Sequence, residues 1–72
     1  MEHYYLNTDN SSSVAGEYEV HTEKCAYLPS ISNRDYVGYH ASCGPAIEKA
    51  ESKHPGWKID GCKHCCKDCH NL

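Results

Sequence analysis

The pattern of hydrophobic and polar positions predicts three short β-strands in the N-terminal half of the chain. Residues 3–6 (HYYL) form a β-prone run rich in aromatic side chains. Residues 17–21 (EYEVH) alternate between polar and apolar side chains, as in a half-buried strand. Residues 35–40 (DYVGYH) form a third such run, which one glycine interrupts. We expect the first two strands to pair as a hairpin across a polar, turn-rich and flexible loop at residues 7–16.

A different pattern follows and predicts one α-helix. Ser42 is a suitable N-cap residue, and Pro45 is tolerated in the first helical turn. Residues 54–56 (HPG) end the helix. The apolar residues that share one helical face are Ala46, Ile47 and Ala50. Residues 57–60 (WKID) predict a brief strand that leads into a cysteine-rich end.

These elements predict one α+β domain over residues 1–72, with a small antiparallel sheet of about three strands, one helix and a C-terminal zinc knuckle. The chain has 72 residues, no Phe, six tyrosines and one tryptophan, so it has few purely apolar side chains from which to build a core. A core of this size rarely supplies more than roughly 3–5 kcal/mol. A stable fold therefore requires a cross-link, either disulfides or a metal.

The charge distribution argues against a nucleic-acid partner. Residues 1–42 carry six acidic and two basic side chains, and residues 43–72 carry four acidic and five basic ones, in agreement with the net charge of −3. Proteins that bind phosphate backbones usually present clustered Lys and Arg. Only one Arg is present here, so we expect nucleic-acid binding to be the less favoured function.

The N-terminal segment predicts a cytoplasmic protein. MEHYYLNTDN has neither the basic region nor the apolar run of a signal peptide, and no apolar stretch approaches membrane-spanning length. We therefore expect no membrane partner. Because disulfides persist mainly in exported proteins, the cysteines are expected to be metal ligands or redox thiols.

The spacing of His and Cys residues predicts a structural zinc site. Cys62 and Cys65 form a Cys-x2-Cys pair, whose tight turn lets both sulfurs point at one ion. Upstream, His21 and Cys25 form a His-x3-Cys pair at the end of a predicted strand. We predict that these four residues hold one Zn²⁺, which joins the hairpin to the C-terminal segment and contributes an apparent ~10–16 kcal/mol.

The same residues carry a resemblance to known proteins. The order VH-x3-C … RDYVGYHASCGPAIEKA … GCKHC resembles the metal-binding domain of the Ada DNA-repair protein, and still more the short Ada-like zinc modules of other bacterial proteins. In that comparison, residues 41–50 (ASCGPAIEKA) match the capped helix and residues 59–65 (IDGCKHC) match the closing knuckle. Nearly the whole chain also resembles a family of short uncharacterised bacterial proteins bearing YYLN, EVH-x3-C, LP, NR-x-Y and GC-x2-CC-x2-CH.

The departure from Ada limits what the resemblance implies. In Ada the metal has four Cys ligands, and the first of the upstream pair accepts a methyl group from the damaged DNA backbone. The matching position here is His21, and an imidazole cannot replace a zinc-activated thiolate. The resemblance therefore implies the fold and the zinc site but not methyl-phosphotriester repair.

Three cysteines remain if Cys62 and Cys65 bind the ion. Together with a nearby histidine they form the candidate second metal or redox site, which consists of Cys66, Cys69, His70 and Cys43. One alternative is a second zinc completed by His40, His64 or His3; another is a redox-active Cys66/Cys69 dithiol. A third is c-type haem attachment, because CKDCH matches the Cys-x2-Cys-His motif. That modification requires export of the protein.

Two further assignments stay open at this point. Cys66 and Cys69 could serve the first ion in place of Cys62 and Cys65, although the glycine before Cys62 favours the latter pair. The side chains of adjacent cysteines tend to diverge, so one ion is not expected to take both Cys65 and Cys66. Cys43 is either a thiol stabilised by the helix N-terminus or, as we prefer, a small buried residue.

No catalytic constellation is recognisable in the sequence. It has no Gly-rich phosphate loop, no Ser/His/Asp set and no paired-carboxylate frame. A zinc with four protein ligands also leaves no open position for a substrate. We therefore predict that the chain is not an enzyme but a structural zinc module that binds an unknown protein partner, with a thiol-based redox or metal-responsive role as the alternative.

Overall fold

The computed structural model describes residues 1–11, 13 and 15–71. The described chain forms four strands and one helix, together with two single turns of 3-10 helix at Ile31–Asn33 and Lys67–Cys69. The longer elements are β1 (Glu2–Asn7), β2 (Tyr18–Thr22), β3 (Arg34–His40), α1 (Cys43–Lys53) and β4 (Ile59–Gly61). The predicted small α+β fold with one helix is confirmed.

The sheet has the order β3-β1-β2-β4 and is mixed rather than purely antiparallel. β1 lies in the interior of the sheet and pairs antiparallel with both β2 and β3. β4 pairs parallel with β2, through Tyr18 and Ile59 and through Val20 and Gly61. The chain passes through β3 and α1 between β2 and β4, and a crossover of this length allows it to return in the same direction. The predicted hairpin is present, and the brief fourth strand adds the parallel edge.

The helix packs on one face of the sheet and covers a small core. Leu6 and Val20, which are register partners on β1 and β2, are fully buried, and so is Val37 on β3. From the helix, Ala46 and Ala50 are fully buried. Because alanine side chains are short, the helix axis can lie close to the sheet. The predicted helical face therefore covers the core.

A β-bulge in β3 explains the glycine that interrupts the predicted third strand. The register between β1 and β3 shifts, because Tyr4 pairs with Gly38 whereas Tyr5 pairs with Tyr36. Gly38 has a φ of +110°, and a Cβ there would collide with the imidazole of His40. The bulge accommodates the extra residue, Val37, which is buried in the core.

The ends of the helix follow the predicted signals. Ser42 is the N-cap residue with extended backbone, although its side chain makes no capping hydrogen bond. The helix ends at Lys53, and the ring of Trp57 then stacks between Tyr18 and His54, at centroid distances of 3.9 and 4.0 Å. This stack fixes the helix C-terminus against β2.

Part of the predicted flexible loop at 7–16 lies outside the described residues, namely Ser12 and Val14. In the described part, Asn10 donates a side-chain hydrogen bond to the carbonyl of Gly16 (3.0 Å). Among the described residues, no helix is long and apolar enough to cross a membrane.

Candidate metal centre

Four side chains from three parts of the chain converge at one end of the sheet. The ligand atoms of His21, Cys25, Cys62 and Cys65 all lie within 4.8 Å of one another. The Sγ of Cys25 is 3.6 Å from Nδ1 of His21 and 4.0 Å from the Sγ of Cys62. This group could hold a metal ion, and it is the set that the His-x3-Cys and Cys-x2-Cys spacings predicted.

Local backbone structure brings the two ligands of the first pair together. His21 lies on β2, next to the last residue of that strand. The chain then turns, with the amide of Cys25 donating to the carbonyl of Thr22 (3.1 Å). This turn returns Cys25 toward the strand end, so that three intervening residues suffice.

Strand pairing positions the second pair. The amide of Cys62 donates to the carbonyl of Val20 (3.0 Å), which extends the β2–β4 pairing by one residue. Cys62 therefore lies beside His21. The following turn is closed by the amide of Cys66, which donates to the carbonyl of Cys62 (2.8 Å) and brings Cys65 to the same side.

Backbone amides point at three of the sulfurs. The amide of Tyr27 donates to the Sγ of Cys25, that of His64 to the Sγ of Cys62, and that of Thr22 to the Sγ of Cys65, each at 3.4 Å. Hydrogen bonds to the charged form of a group favour that form. Burial raises the pKa of the Cys25 thiol, and the amide of Tyr27 opposes that shift only in part. The thiolate is the form of cysteine that binds metals.

The fourth candidate ligand is a buried histidine. Only 2% of His21 is exposed, and burial, with a smaller effect of His64, lowers the pKa of its side chain. Nδ1 faces Cys25, while the buried Nε2 lies 4.0 Å from a carboxylate oxygen of Glu19 without forming a hydrogen bond. A metal-binding histidine usually donates its second N–H to such a carboxylate, and Glu19 is the carboxylate nearest to this nitrogen.

The sequence analysis did not identify Glu19 as a neighbour of the candidate metal centre. Burial, followed by the charges of Glu17 and Asp60, raises the pKa of this carboxyl group. The signal was present in the strand alternation, because residues two apart on a strand share a face. Glu19 precedes His21 by two positions and therefore lies beside it.

The C-terminal cysteines of the candidate second site have separate surroundings. Cys43, the first residue of α1, forms a disulfide with Cys69, with a Cα–Cα distance of 6.3 Å. Our preference for Cys43 as a small buried residue agrees with its burial but did not include this bond. Cys69 is therefore paired with Cys43 rather than with Cys66, and in this structure the CKDCH segment offers no free Cys-x2-Cys dithiol.

Cys66 remains a free thiol and lies in the core. Burial, together with the neighbouring thiols of Cys65 and Cys62, raises its pKa to about 12. Its Sγ is 3.9 Å from that of Cys65. At neutral pH this thiol stays protonated unless a metal displaces the proton.

His70 has a structural role in the same segment. Its Nδ1 lies 2.9 Å from a carboxylate oxygen of the buried Asp60 and 3.1 Å from the carbonyl of Gly61. The amide of Asn71 donates to the same carboxylate (2.8 Å). These contacts fasten the chain end to β4. The described residues contain one convergent group of metal-ligating side chains, and His70 is not in it.

The alternative register of the metal ligands finds no support in this geometry. The ligand atoms of Cys62 and Cys65 lie with those of His21 and Cys25, whereas Cys69 is in a disulfide. Gly61, whose position favoured this choice, lies directly against the turn that follows. A Cβ on Gly61 would lie 2.8 Å from the carbonyl oxygen of Cys66.

A scan against protein-family models, a search of curated proteins and a search of solved structures each found no match for the chain. The fold and the site by themselves define a small cysteine-rich α+β domain with a His/Cys group that could hold a metal ion.

Proposed function

We propose that the chain is a small structural zinc-binding module that serves as a protein-interaction domain. The observation that carries the zinc assignment is the convergence of His21, Cys25, Cys62 and Cys65 on one point. One imidazole and three thiolates are a common donor set of structural Zn²⁺. Four protein ligands fill a tetrahedral shell, so such a site supports the fold rather than a reaction.

Two of the separations between ligand atoms match those expected around a zinc ion. Bond lengths of about 2.3 Å to sulfur and about 2.0–2.1 Å to nitrogen give tetrahedral edges of about 3.8 Å between two sulfurs and about 3.6 Å between sulfur and nitrogen. The observed values are 4.0 Å between Cys25 and Cys62 and 3.6 Å between Cys25 and His21. These two separations are close to the tetrahedral edges, and all the separations among the four ligand atoms are within 4.8 Å.

Metal counting tests this assignment directly. We expect the disulfide-bonded protein to carry one zinc in native mass spectrometry and to lose it in a His21→Ala variant. The matched control is His64→Ala, because the His64 ring stacks on Tyr27 (4.3 Å) beside the site but offers no ligand to it. A His21→Ala variant that retains one zinc would show that the ligand set is wrong.

The interaction surface that we assign lies on the sheet face opposite the helix. There, aromatic side chains of β1 and β3 lie side by side. We call this set the aromatic row, and it consists of His3, Tyr5, Tyr36 and Tyr39. Ring centroids are 4.6 Å apart between His3 and Tyr39 and 5.3 Å apart between Tyr5 and Tyr36. Tyr36 and Tyr39 are 45% and 51% exposed.

The composition of the aromatic row suits a protein partner. Tyrosines are enriched at protein interfaces because they bury a large area with few rotatable bonds and keep a polar end. Arg34, whose guanidinium lies 4.8 Å from the ring centroid of Tyr5, is the one arginine of the chain. A net charge of −3 favours a protein partner over a nucleic acid, because nucleic-acid binding proteins usually carry clustered positive charge.

Substitutions in the row test the interaction role. We expect a Tyr36→Ala/Tyr39→Ala variant to lose the proteins that the wild type captures from cell extract, because these two side chains are the exposed tyrosines of the row. The control is Tyr27→Ala, since Tyr27 is 60% exposed but lies outside the row. Capture by the double variant equal to that by the wild type would refute the assignment of this surface.

A thiol-based role is the second candidate function, and the Cys43–Cys69 disulfide favours it. This bond joins the helix N-terminus to the segment that follows the metal ligands. Breaking or forming it would change the number of free thiols next to the metal centre.

A further inference from the structure

A sulfur-lined cavity lies between the N-terminus of α1 and the C-terminal segment. Its volume is about 490 Å³. The cysteines that line it are Cys43, Cys65, Cys66 and Cys69. Four of the six cysteines of the chain therefore face one space, and only Cys65 belongs to the metal centre described above.

The two cysteines of the disulfide would remain close together after reduction. Cys43 is fixed by its position at the start of α1. Cys69 is held against β4, because its backbone carbon is 3.0 Å from the place a Cβ on Gly61 would occupy. The contacts of His70 and Asn71 to Asp60, at 2.9 and 2.8 Å, fasten the chain immediately after it. Two free thiols would therefore still face the cavity.

Cys66 and Cys65 extend this set of sulfurs toward the metal centre. Their Sγ atoms are 3.9 Å apart, despite the tendency of adjacent side chains to diverge. Two thiolates on one tetrahedral zinc are separated by about 3.8 Å. The pair is thus spaced as two ligands of a common ion, and Cys65 can share its sulfur between two sites.

We propose that reduction of the Cys43–Cys69 disulfide creates a second site for a thiophilic divalent ion, with Cys43, Cys66 and Cys69 as ligands and Cys65 as a bridge to the first ion. Each ion then has four ligands, and all six cysteines are used. The site is open to metal only in the reduced protein, because in the oxidised protein two of its sulfurs are bonded to each other. This inference goes beyond the structural role of the first zinc.

The redox step balances with a dithiol reductant. One thiolate of the reductant attacks a sulfur of the Cys43–Cys69 bond, and its second thiol resolves the mixed disulfide. The reductant leaves as a disulfide, and Cys43 and Cys69 take up its two protons and become thiols. The incoming metal ion then displaces the thiol protons to solvent.

The test is a zinc count in the two redox states. Protein is loaded with Zn²⁺ either with the disulfide intact or after anaerobic reduction by a dithiol and removal of the reductant. Native mass spectrometry is expected to show one zinc in the oxidised protein and two in the reduced protein. Reoxidation by a small-molecule disulfide, which accepts the two electrons and two protons from solvent and leaves as two thiols, is expected to release one zinc, measured with a chromogenic chelator.

A variant separates the second site from the first. Cys66→Ala removes one ligand of the second site and leaves both the disulfide and the four ligands of the first site in place. We expect this variant to bind one zinc in either redox state. Circular dichroism of the oxidised variant checks that it is folded, and Cys66→Ser serves the same purpose if the alanine variant is not.

Each contrary result has a distinct meaning. One zinc in the reduced wild type, or two in reduced Cys66→Ala, would overturn the second site. Peptide mapping that finds a disulfide other than Cys43–Cys69 would overturn the redox control. No zinc in the oxidised wild type would instead refute the proposed function, so the two failures are distinguishable.

Discussion

At the scale of single residues, Gly61 connects the sheet to the candidate metal centre at a place where no side chain fits. A Cβ at this position would lie 2.8 Å from the carbonyl oxygen of Cys66 and 2.8 Å from the Cβ of Cys69. Real Cβ atoms do not come that close to backbone. The turn at residues 66–69 can therefore pack on β4 only because residue 61 is glycine.

A Gly61→Ala substitution should accordingly destabilise the protein. We expect the free energy of unfolding to fall by about 1–3 kcal/mol, the usual cost of inserting a methyl group into a packed site. Denaturant titration of the zinc-loaded protein measures this change. The matched control is Gly44→Ala. Gly44 lies in α1, and a Cβ there would meet no atom within 4 Å. Equal stability of the two variants would contradict the proposed close packing.

At the scale of elements, one carboxylate ties the helix to the sheet. Asp35, on β3, accepts hydrogen bonds from Lys53 (2.9 Å) and His54 (3.1 Å) at the C-terminal end of α1. Burial alone would raise the pKa of Asp35, but these two hydrogen bonds outweigh it and the pKa is lowered. The group therefore favours the folded state when it is ionised.

The ionised carboxylate of Asp35 is therefore expected to make a small contribution to stability. A carboxyl group whose pKa is lower in the folded state stabilises above its unfolded pKa of about 3.9, and the contribution is lost as the pH falls through the folded value. Because both partners are partly exposed, we expect Asp35→Asn to cost about 0.5 kcal/mol at pH 7, where the carboxyl group is ionised, and less in about 1 M salt, which screens the charges. Thermal unfolding of the zinc-loaded protein at pH 7, in low and in high salt, measures this difference.

The control for Asp35→Asn is Glu51→Gln, which removes the same charge from an exposed position on α1. It is expected to leave stability at pH 7 unchanged within measurement error. A cost in high salt as large as that in low salt would show that Asp35 acts through packing and not through its charge.

The elements also show which parts of the fold the sequence could predict. The helix and the strands of the hairpin follow from local signals, such as the N-cap at Ser42 and the alternation in residues 17–21, and these signals involve residues adjacent in the chain. The parallel direction of β4 and its register with β2 depend on how α1 returns the chain across the sheet. No local pattern in residues 57–60 encodes that path.

The same distinction applies to the candidate metal centre. The ligand pairs His21/Cys25 and Cys62/Cys65 could be predicted because each pair is formed by a short turn with characteristic spacing. The Cys43–Cys69 disulfide could not, since its partners are 26 residues apart and meet only when the C-terminal segment has packed beside the helix N-terminus. Sequence spacing instead suggested a Cys66/Cys69 pair.

At the scale of the whole molecule, two cross-links compensate for a small core. The candidate metal centre joins the end of β2 to the segment after β4, and the disulfide joins the start of α1 to the C-terminal turn. Among the described residues, the fully buried apolar side chains of the core are only Leu6, Val20, Val37, Ala46 and Ala50. A core of this kind rarely supplies more than roughly 3–5 kcal/mol, whereas a structural zinc contributes an apparent ~10–16 kcal/mol.

The most direct measurement of the central claim is the effect of metal removal on folding. Zinc-loaded, disulfide-bonded protein is treated with an excess of a strong chelator, and unfolding is followed by far-UV circular dichroism as the temperature rises. We predict that the chelated protein loses its cooperative transition and that one equivalent of Zn²⁺ restores it. An unchanged transition after the zinc has been removed, as verified by mass spectrometry, would contradict a structural role for the metal.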